Sequence, residues 1–139
     1  AIVETTTGAD VLQAPEVLKP FDILNLQRWT REVPLSSELR AMIARFVRAT
    51  QPHLDEAPEM VRSYVRYGVS PRGAQSLVLA SKARALMAGR HAVSIDDVRA
   101  VAMPALRHRI QTNYEADANR IDVDDVIQAI LDSVVAQAA

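Results

Sequence analysis

The stretch from Gly68 to Arg90, which reads GVSPRGAQSLVLASKARALMAGR, constrains the fold more than any other part of the chain. Ser70 belongs to a residue type that often caps helices. Pro71 suits the first helical position, because the N–H that proline lacks would be unpaired there in any case. A long run of helix-forming residues follows, and Gly89 provides a natural end. The sequence therefore predicts a long helix that begins at Pro71.

Arg72 falls in the first turn of this predicted helix, which is an unusual place for a lone cation. The N-terminal end of a helix is itself positive, and a cation there costs a few tenths to about 1 kcal/mol unless an anion lies nearby. A helix N-terminus combined with an arginine is also well suited to binding phosphate. From position alone two interpretations stay open, a solvent-exposed arginine on a surface helix and a ligand for an anion.

The composition favours one helical domain. The chain has 139 residues and a net charge of -1, with 49% hydrophobic but only 4% aromatic residues. Strands are enriched in aromatic and β-branched residues, so this composition favours packed helices. The absence of cysteine excludes disulfides and thiolate metal sites. No apolar run approaches the roughly 20 residues of a membrane span, and no signal-peptide pattern occurs. We expect a cytoplasmic protein with no membrane insertion, and the near-neutral charge disfavours nucleic acid as a partner.

Helical periodicity and capping signals predict an all-α fold, a small bundle of five or six helices with very short extended connectors. Residues 1–20 contain two prolines and a polar TTTG stretch, and they are predicted to be a linker, whereas residues 21–137 form the helical domain. The predicted helices are Asp22–Arg31, one from Ser36 or Ser37 to near Pro52, a short one from Pro58, the helix from Pro71, one capped by Ser94 with Asp97 and closed by Pro104, a further turn Ala105–Ile110, and a last helix from Asp122.

No complete active site can be assembled from these residues. His53, His91 and His108 lie in different predicted elements, without the i, i+4 spacing of a metal site. Acidic pairs occur at helix starts, where capping explains them. A compact basic cluster, Arg107-His108-Arg109, is predicted near Arg99. It is either a solvated helix end or a contact for a phosphate or an acidic partner.

The segment Tyr67–Ile110, YGVSPRGAQSLVLASKARALMAGRHAVSIDDVRAVAMPALRHRI, closely resembles the C-terminal lid of MoxR-family AAA+ ATPases. The flanks are similar too: ILNLQ before VPL, then VRAT, and the DDVI of the final helix. The resemblance covers nearly all of the chain from residue 15 onward. Even Thr6-Thr7-Gly8 resembles the family's junction between ATPase core and lid, so the resemblance implies that residues 1–20 are the linker from that core.

The resemblance implies that Arg72 is the sensor-two arginine, which reaches from the lid to the γ-phosphate of ATP bound by the core of its own subunit. Ser70 and Pro71 would set the helix start that aims this side chain, and Gly73 would permit close approach. Arg72 would then help to neutralise charge on the transferring phosphoryl group and couple nucleotide state to lid motion. ATP and Mg²⁺ would be bound mainly by the core.

The chain departs from the family pattern because the Walker A loop, the Walker B acid and the sensor-one residue are not in this sequence. We therefore expect no catalytic residue in this chain, no ATP hydrolysis by it alone and weak ATP binding at most. The resemblance implies a hexameric, chaperone-like parent that contacts its own AAA+ core and acts on clients such as von Willebrand A domain proteins. The alternative is a free-standing helical interaction module that binds an acidic partner through Arg99, Arg107 and Arg109. A GxxxxGK[ST] motif in preceding sequence would distinguish the two.

Overall fold

A computed structural model describes residues 15–136 as seven α-helices and one two-stranded antiparallel sheet. The helices are α1 (Pro20–Glu32), α2 (Ser37–Ala49), α3 (Glu59–Tyr64), α4 (Pro71–Met87), α5 (Ile95–Leu106), α6 (Tyr114–Asn119) and α7 (Val123–Ala136), and the strands are β1 (Val65–Tyr67) and β2 (Gln111–Thr112). The predicted all-α bundle is confirmed. Most of the predicted linker, residues 1–14, lies outside the described residues, as do residues 137–139. No helix in the described range is long and apolar enough to cross a membrane.

Both of the amphipathic stripes that helical spacing predicts contribute to the core. They consist of Leu39, Met42, Ile43, Phe46 and Val47 in α2, and of Val123, Val126, Ile127, Ile130, Leu131 and Val134 in α7. In α2 the stripe residues Met42, Ile43 and Phe46 are buried, and the Ser36 hydroxyl caps the helix by accepting from the Leu39 N–H at 3.2 Å. Each fully buried side chain of this size contributes about 1.5–3 kcal/mol. Five residues of the predicted stripe of α7 are buried: Val126, Ile127, Ile130, Leu131 and Val134.

α4 is the central helix of the bundle, and it contacts α1, α2 and α5. Its buried face repeats every four residues and consists of Gly73, Leu77, Ser81 and Ala85. Three of these four residues are small, so the neighbouring helices can approach closely. Pro71 and Arg72 in its first turn are exposed, whereas the rest of the helix packs against these three neighbours.

Two helices differ from the sequence expectations in detail. α5 does not close at Pro104 but continues to Leu106, because Pro104 removes a single backbone donor and Leu106 gains complete burial by staying in helical register. α6 was not predicted, and it raises the described helices to seven rather than five or six. It has only six residues, too few to show helical periodicity, and it begins where the Asn113 side chain accepts from the Ala116 N–H at 3.1 Å.

The short sheet was also not predicted at its observed position. β1 directly follows α3 and pairs with β2, with Val65 opposite Thr112. The Asn113 N–H extends this pairing to the Tyr64 carbonyl at 2.9 Å. Strands this short carry no periodicity of their own, so only the pairing reveals them. The sheet brings the chain after α5 alongside the turn that leads into α4.

Candidate functional site

The turn before α4 is held in place by the end of α2. Thr50 is fully buried, and its hydroxyl accepts from the Val69 N–H at 2.9 Å while donating to the Val47 carbonyl at 2.6 Å. The Gln51 side-chain amide donates to the Val69 carbonyl at 2.9 Å. Both backbone polar groups of Val69 are therefore satisfied by α2, so the start of α4 has a defined position.

Gly68 is required in this turn by close approach. A Cβ atom added there would lie 2.7 Å from the Thr50 hydroxyl oxygen and would overlap the Thr50 carbonyl. Contacts below about 3 Å with backbone atoms can be relieved only by moving the chain. The sequence did not indicate that Thr50 and Gln51 belong to this site. Thr50 lies in the VRAT segment at residues 47–50, which is part of the resemblance described above, whereas Gln51 follows that segment.

The predicted start of α4 is confirmed. Ser70 occupies the N-cap position and Pro71 the first helical position. The Ser70 hydroxyl makes no capping hydrogen bond. Instead, the Ser70 carbonyl accepts from the Gly73 N–H at 2.8 Å. The first turn of the helix contains no acidic residue, so its positive end is not compensated from within the helix.

Arg72 is exposed on this first turn. None of the ion pairs found among residues 15–136 involves its guanidinium group. Its backbone is nevertheless fixed, since the Arg72 carbonyl accepts from the Ser76 hydroxyl at 3.0 Å. An arginine of this kind can form a bidentate contact with phosphate oxygens beside a helix N-terminus.

Gly73 and Arg109 pack against each other on the inner side of the same turn. A Cβ atom added at Gly73 would overlap the Val69 side chain and lie 3.2 Å from the Arg109 Cδ atom. The Arg109 Nε atom donates to the Ala105 carbonyl at 3.0 Å, and its Nη2 atom donates to the Ser76 hydroxyl at 3.1 Å. Arg109 therefore belongs to the neighbourhood of Arg72, which sequence spacing did not indicate.

The structure does not bring the predicted basic cluster together. Arg107 forms an ion pair with Asp124 at 2.7 Å, while Arg109 turns toward α4. Arg99 lies 3.8 Å from Asp96 on its own helix, and it lines a different surface depression from the one lined by Arg107 and His108. The four residues thus occupy three separate surroundings and form no single basic patch.

Ion pairs to a buried carboxylate fix the other end of α4. Asp97 is 1% exposed, and its two carboxylate oxygens accept from the Arg90 guanidinium at 2.5 Å each. The Arg84 Nε atom lies 3.4 Å from the Asp97 Oδ1 atom. The predicted capping box of α5 is present, with the Ser94 N–H donating to Asp97 at 2.9 Å. The Arg90 hydrogen bonds hold the pKa of Asp97 well below its usual range, and they outweigh the opposing effect of burial.

Residues 15–136 contain no group of three or more metal-ligating side chains close enough to hold an ion. Two polar arrangements stand at the ends of α4. The fixed turn with Arg72 stands at one end, and the carboxylate between two arginines stands at the other.

Comparisons with known proteins agree with this architecture. The model of the AAA lid domain matches residues 57–130, more than half of the chain. The Mycobacterium tuberculosis chaperone MoxR1 is 33% identical over 127 residues, which cover 91% of this chain and 34% of that protein. The Paracoccus denitrificans protein MoxR is 42% identical over 72 residues, which cover 52% of this chain and 20% of its own length.

A solved structure gives the same result for the fold. A proposed ATPase from Cytophaga hutchinsonii superimposes with a TM-score of 0.81 at 30% identity, covering 95% of this chain and 40% of that one. Compared with the relatives in sequence, the chain spans about a third of the length of MoxR1. The fold, the family match and these relatives together show that the chain belongs to the AAA lid domain family, as the lid region of a MoxR-family AAA+ ATPase.

Proposed function

We propose that this lid senses the nucleotide of a MoxR-like AAA+ ATPase through Arg72, the sensor-two arginine of the protein. The observation that carries the proposal is an exposed arginine without an ion-pair partner in the described chain, on a helix start held by Thr50 and Gln51. An unpaired cation at a positive helix end is unfavourable by itself, and a γ-phosphate would remove that cost. Ser70, Pro71 and Gly73 set the backbone from which Arg72 extends.

In this proposal the remainder of the parent protein, its AAA+ core, holds ATP and Mg²⁺. Arg72 contributes positive charge that is matched to the transferring phosphoryl group, so its effect is greatest in the transition state. When the γ-phosphate leaves, the contact is lost and the preferred angle between lid and core changes. Such coupling would drive a hexameric, chaperone-like motor, for which von Willebrand A domain proteins are candidate clients.

The outer surface of α1 supports the core as a partner. This helix has no buried residue in the described structure, and apolar side chains along it and just before it are exposed. Phe21 is 70% exposed and Trp29 is 47% exposed. Exposed apolar groups on this scale mark interaction surfaces. The chain spans about a third of the length of its relative MoxR1, and we propose that the ATPase core of the parent protein covers these side chains.

The test is ATP turnover by the full-length protein, with Arg72→Ala compared against wild type. We expect kcat to fall about tenfold or more, which corresponds to about 1.4 kcal/mol at the transition state. Arg62→Ala is the matched control, because Arg62 is an exposed arginine of α3, outside α1 and the start of α4, and its guanidinium donates to the Asp55 carbonyl at 2.9 Å. An unchanged kcat for Arg72→Ala with intact assembly would favour the alternative, an interaction module without a nucleotide role.

A further inference from the structure

We propose that Arg109 is a positioning residue that holds the first turns of α4 so that Arg72 points at the nucleotide. The inference rests on the proposed function and adds a residue to it. Arg109 lies outside α4, 33 positions after Ser76 in the sequence, yet its guanidinium group reaches that helix. It therefore connects the segment after α5 to the turn that carries Arg72.

Two hydrogen bonds fix the orientation of the Arg109 guanidinium. Its Nε atom donates to the Ala105 carbonyl at 3.0 Å, which ties the side chain back to α5. Its Nη2 atom donates to the Ser76 hydroxyl at 3.1 Å. The planar guanidinium presents both donors in one rigid fork, so the two acceptors are held at a defined separation.

The contact continues to the backbone of Arg72. The Ser76 hydroxyl accepts from Arg109 and donates to the Arg72 carbonyl at 3.0 Å. A serine whose hydroxyl donates to the carbonyl four residues earlier can bend a helix slightly. Because Arg109 holds the Ser76 hydroxyl, it influences the direction of the turn that carries Arg72. The path Arg109, Ser76, Arg72 is thus a continuous set of hydrogen bonds that ends on the residue whose side chain must be aimed.

Packing supports the same role. The Arg109 Cδ atom lies 3.2 Å from where a Cβ of Gly73 would stand, so its aliphatic part covers the residue next to Arg72. Removing this side chain would take away part of the cover on the inner side of this turn, to which Val69 also contributes. A displacement of about 1 Å at a positioned group can cost about a hundredfold in rate, even when the change lies away from the reacting atoms.

The experiment measures kcat for ATP and Kd for ADP with the full-length protein, for Arg109→Ala and Ser76→Ala in wild-type and Arg72→Ala backgrounds. We expect Arg109→Ala to lower kcat about tenfold, and Ser76→Ala to lower it about threefold. ADP affinity should not change, because ADP has no γ-phosphate for Arg72 to contact. In the Arg72→Ala background both losses should shrink to less than about twofold, because residues that act as a unit are not additive.

Two further variants separate positioning from charge and from nonspecific damage. Arg109→Lys keeps the positive charge, but its single ammonium group cannot bond Ala105 and Ser76 in the same fork geometry, so we expect a loss close to that of Arg109→Ala. Arg107→Ala is the matched control from the same segment, and its side chain pairs with Asp124 instead. We expect it to keep the wild-type kcat.

Several results would overturn the inference. Equal losses in both backgrounds would show that Arg109 acts independently of Arg72, and wild-type kcat in Arg109→Lys would show a role of charge alone. A parallel loss of ADP affinity would indicate general structural damage.

If Arg109→Ala does not fold, Ser76→Ala decides the outcome, because its half-buried hydroxyl can be removed with little change in packing. If Arg72→Ala itself leaves kcat unchanged, the proposed function fails first and this inference with it.

Discussion

At the scale of single residues, Asp97 shows how a charged side chain can be buried at the end of a helix. Its carboxylate accepts from both Arg90 nitrogens and from Ser94, so its charge is balanced and its lone pairs are used. Breaking a buried pair by removing one partner is costly, because the other charge is left without compensation. Arg90 is partly exposed, which lets water reduce that cost.

We predict that Asp97→Asn lowers the free energy of unfolding at pH 7 by about 2–4 kcal/mol. The native pKa of Asp97 is depressed, so the stability it contributes is present above the unfolded carboxyl pKa and decreases as pH falls toward the native pKa. The difference between wild type and variant should therefore be constant above about pH 5 and shrink below about pH 4. Urea denaturation of the chain at several pH values measures it. A difference that persists unchanged at pH 3 would contradict the assignment.

At the scale of elements, α4 joins two chemically different ends. Its first turn carries Arg72, which forms none of the ion pairs among residues 15–136, and its C-terminal end is linked to α5 through the Arg84–Asp97 and Arg90–Asp97 ion pairs. Between them the helix is buried on a face of small residues. Under the proposed function, a change of nucleotide state at Arg72 would therefore act on a helix that packs against three others.

We predict that α1 contributes to assembly and little to the stability of the lid. In the double variant that combines Phe21→Ser with Leu24→Ser, the free energy of unfolding of the isolated chain should change by less than about 0.5 kcal/mol per site, because both side chains are exposed. The full-length protein should lose thermal stability and assembled species, since apolar anchors in an interface contribute about 1–3 kcal/mol each.

Size-exclusion chromatography and thermal unfolding of both forms measure these effects. Met87→Ser is the control, because Met87 is 88% exposed at the far end of α4. Equal behaviour of the double variant and the control in the full-length protein would contradict a role of α1 in docking.

At the scale of the whole molecule, the described chain has a continuous apolar core but only one side of the proposed nucleotide site. The core includes fully buried Phe46, Leu77 and Ile127 from three different helices. Arg72, by contrast, projects from the surface. Stability is therefore built within the lid, whereas the affinity for ATP depends in our proposal on the core that contacts the phosphates.

We predict that ATP and Mg²⁺ stabilise the full-length protein but barely stabilise the isolated chain. A ligand at a concentration equal to its Kd adds about 0.4 kcal/mol, and a weak contact with one arginine should remain below that value at millimolar ATP. Thermal unfolding with and without ATP measures the difference. A rise in Tm of the isolated chain that Arg72→Ala does not abolish would show ATP binding elsewhere on the lid.

The sequence by itself determined the features that depend on neighbouring residues. The start of α4 at Ser70 and Pro71, the capping box at Ser94, and the stripes of α2 and α7 were predicted and are present. Caps and helical stripes join residues three or four positions apart, so their chemistry can be read along the chain. The position of Arg72 in the first turn of α4 followed from the same local pattern.

Only the tertiary structure decided what surrounds that arginine. The Thr50–Val69 and Arg109–Ser76 hydrogen bonds join residues 19 and 33 positions apart, and no periodicity or motif pairs such residues. The division of the basic cluster followed for the same reason, since Arg107 meets Asp124 of α7 and Arg109 meets α4. Contacts of this kind arise when separate hydrophobic faces pack together, and that packing sets which polar side chains become neighbours.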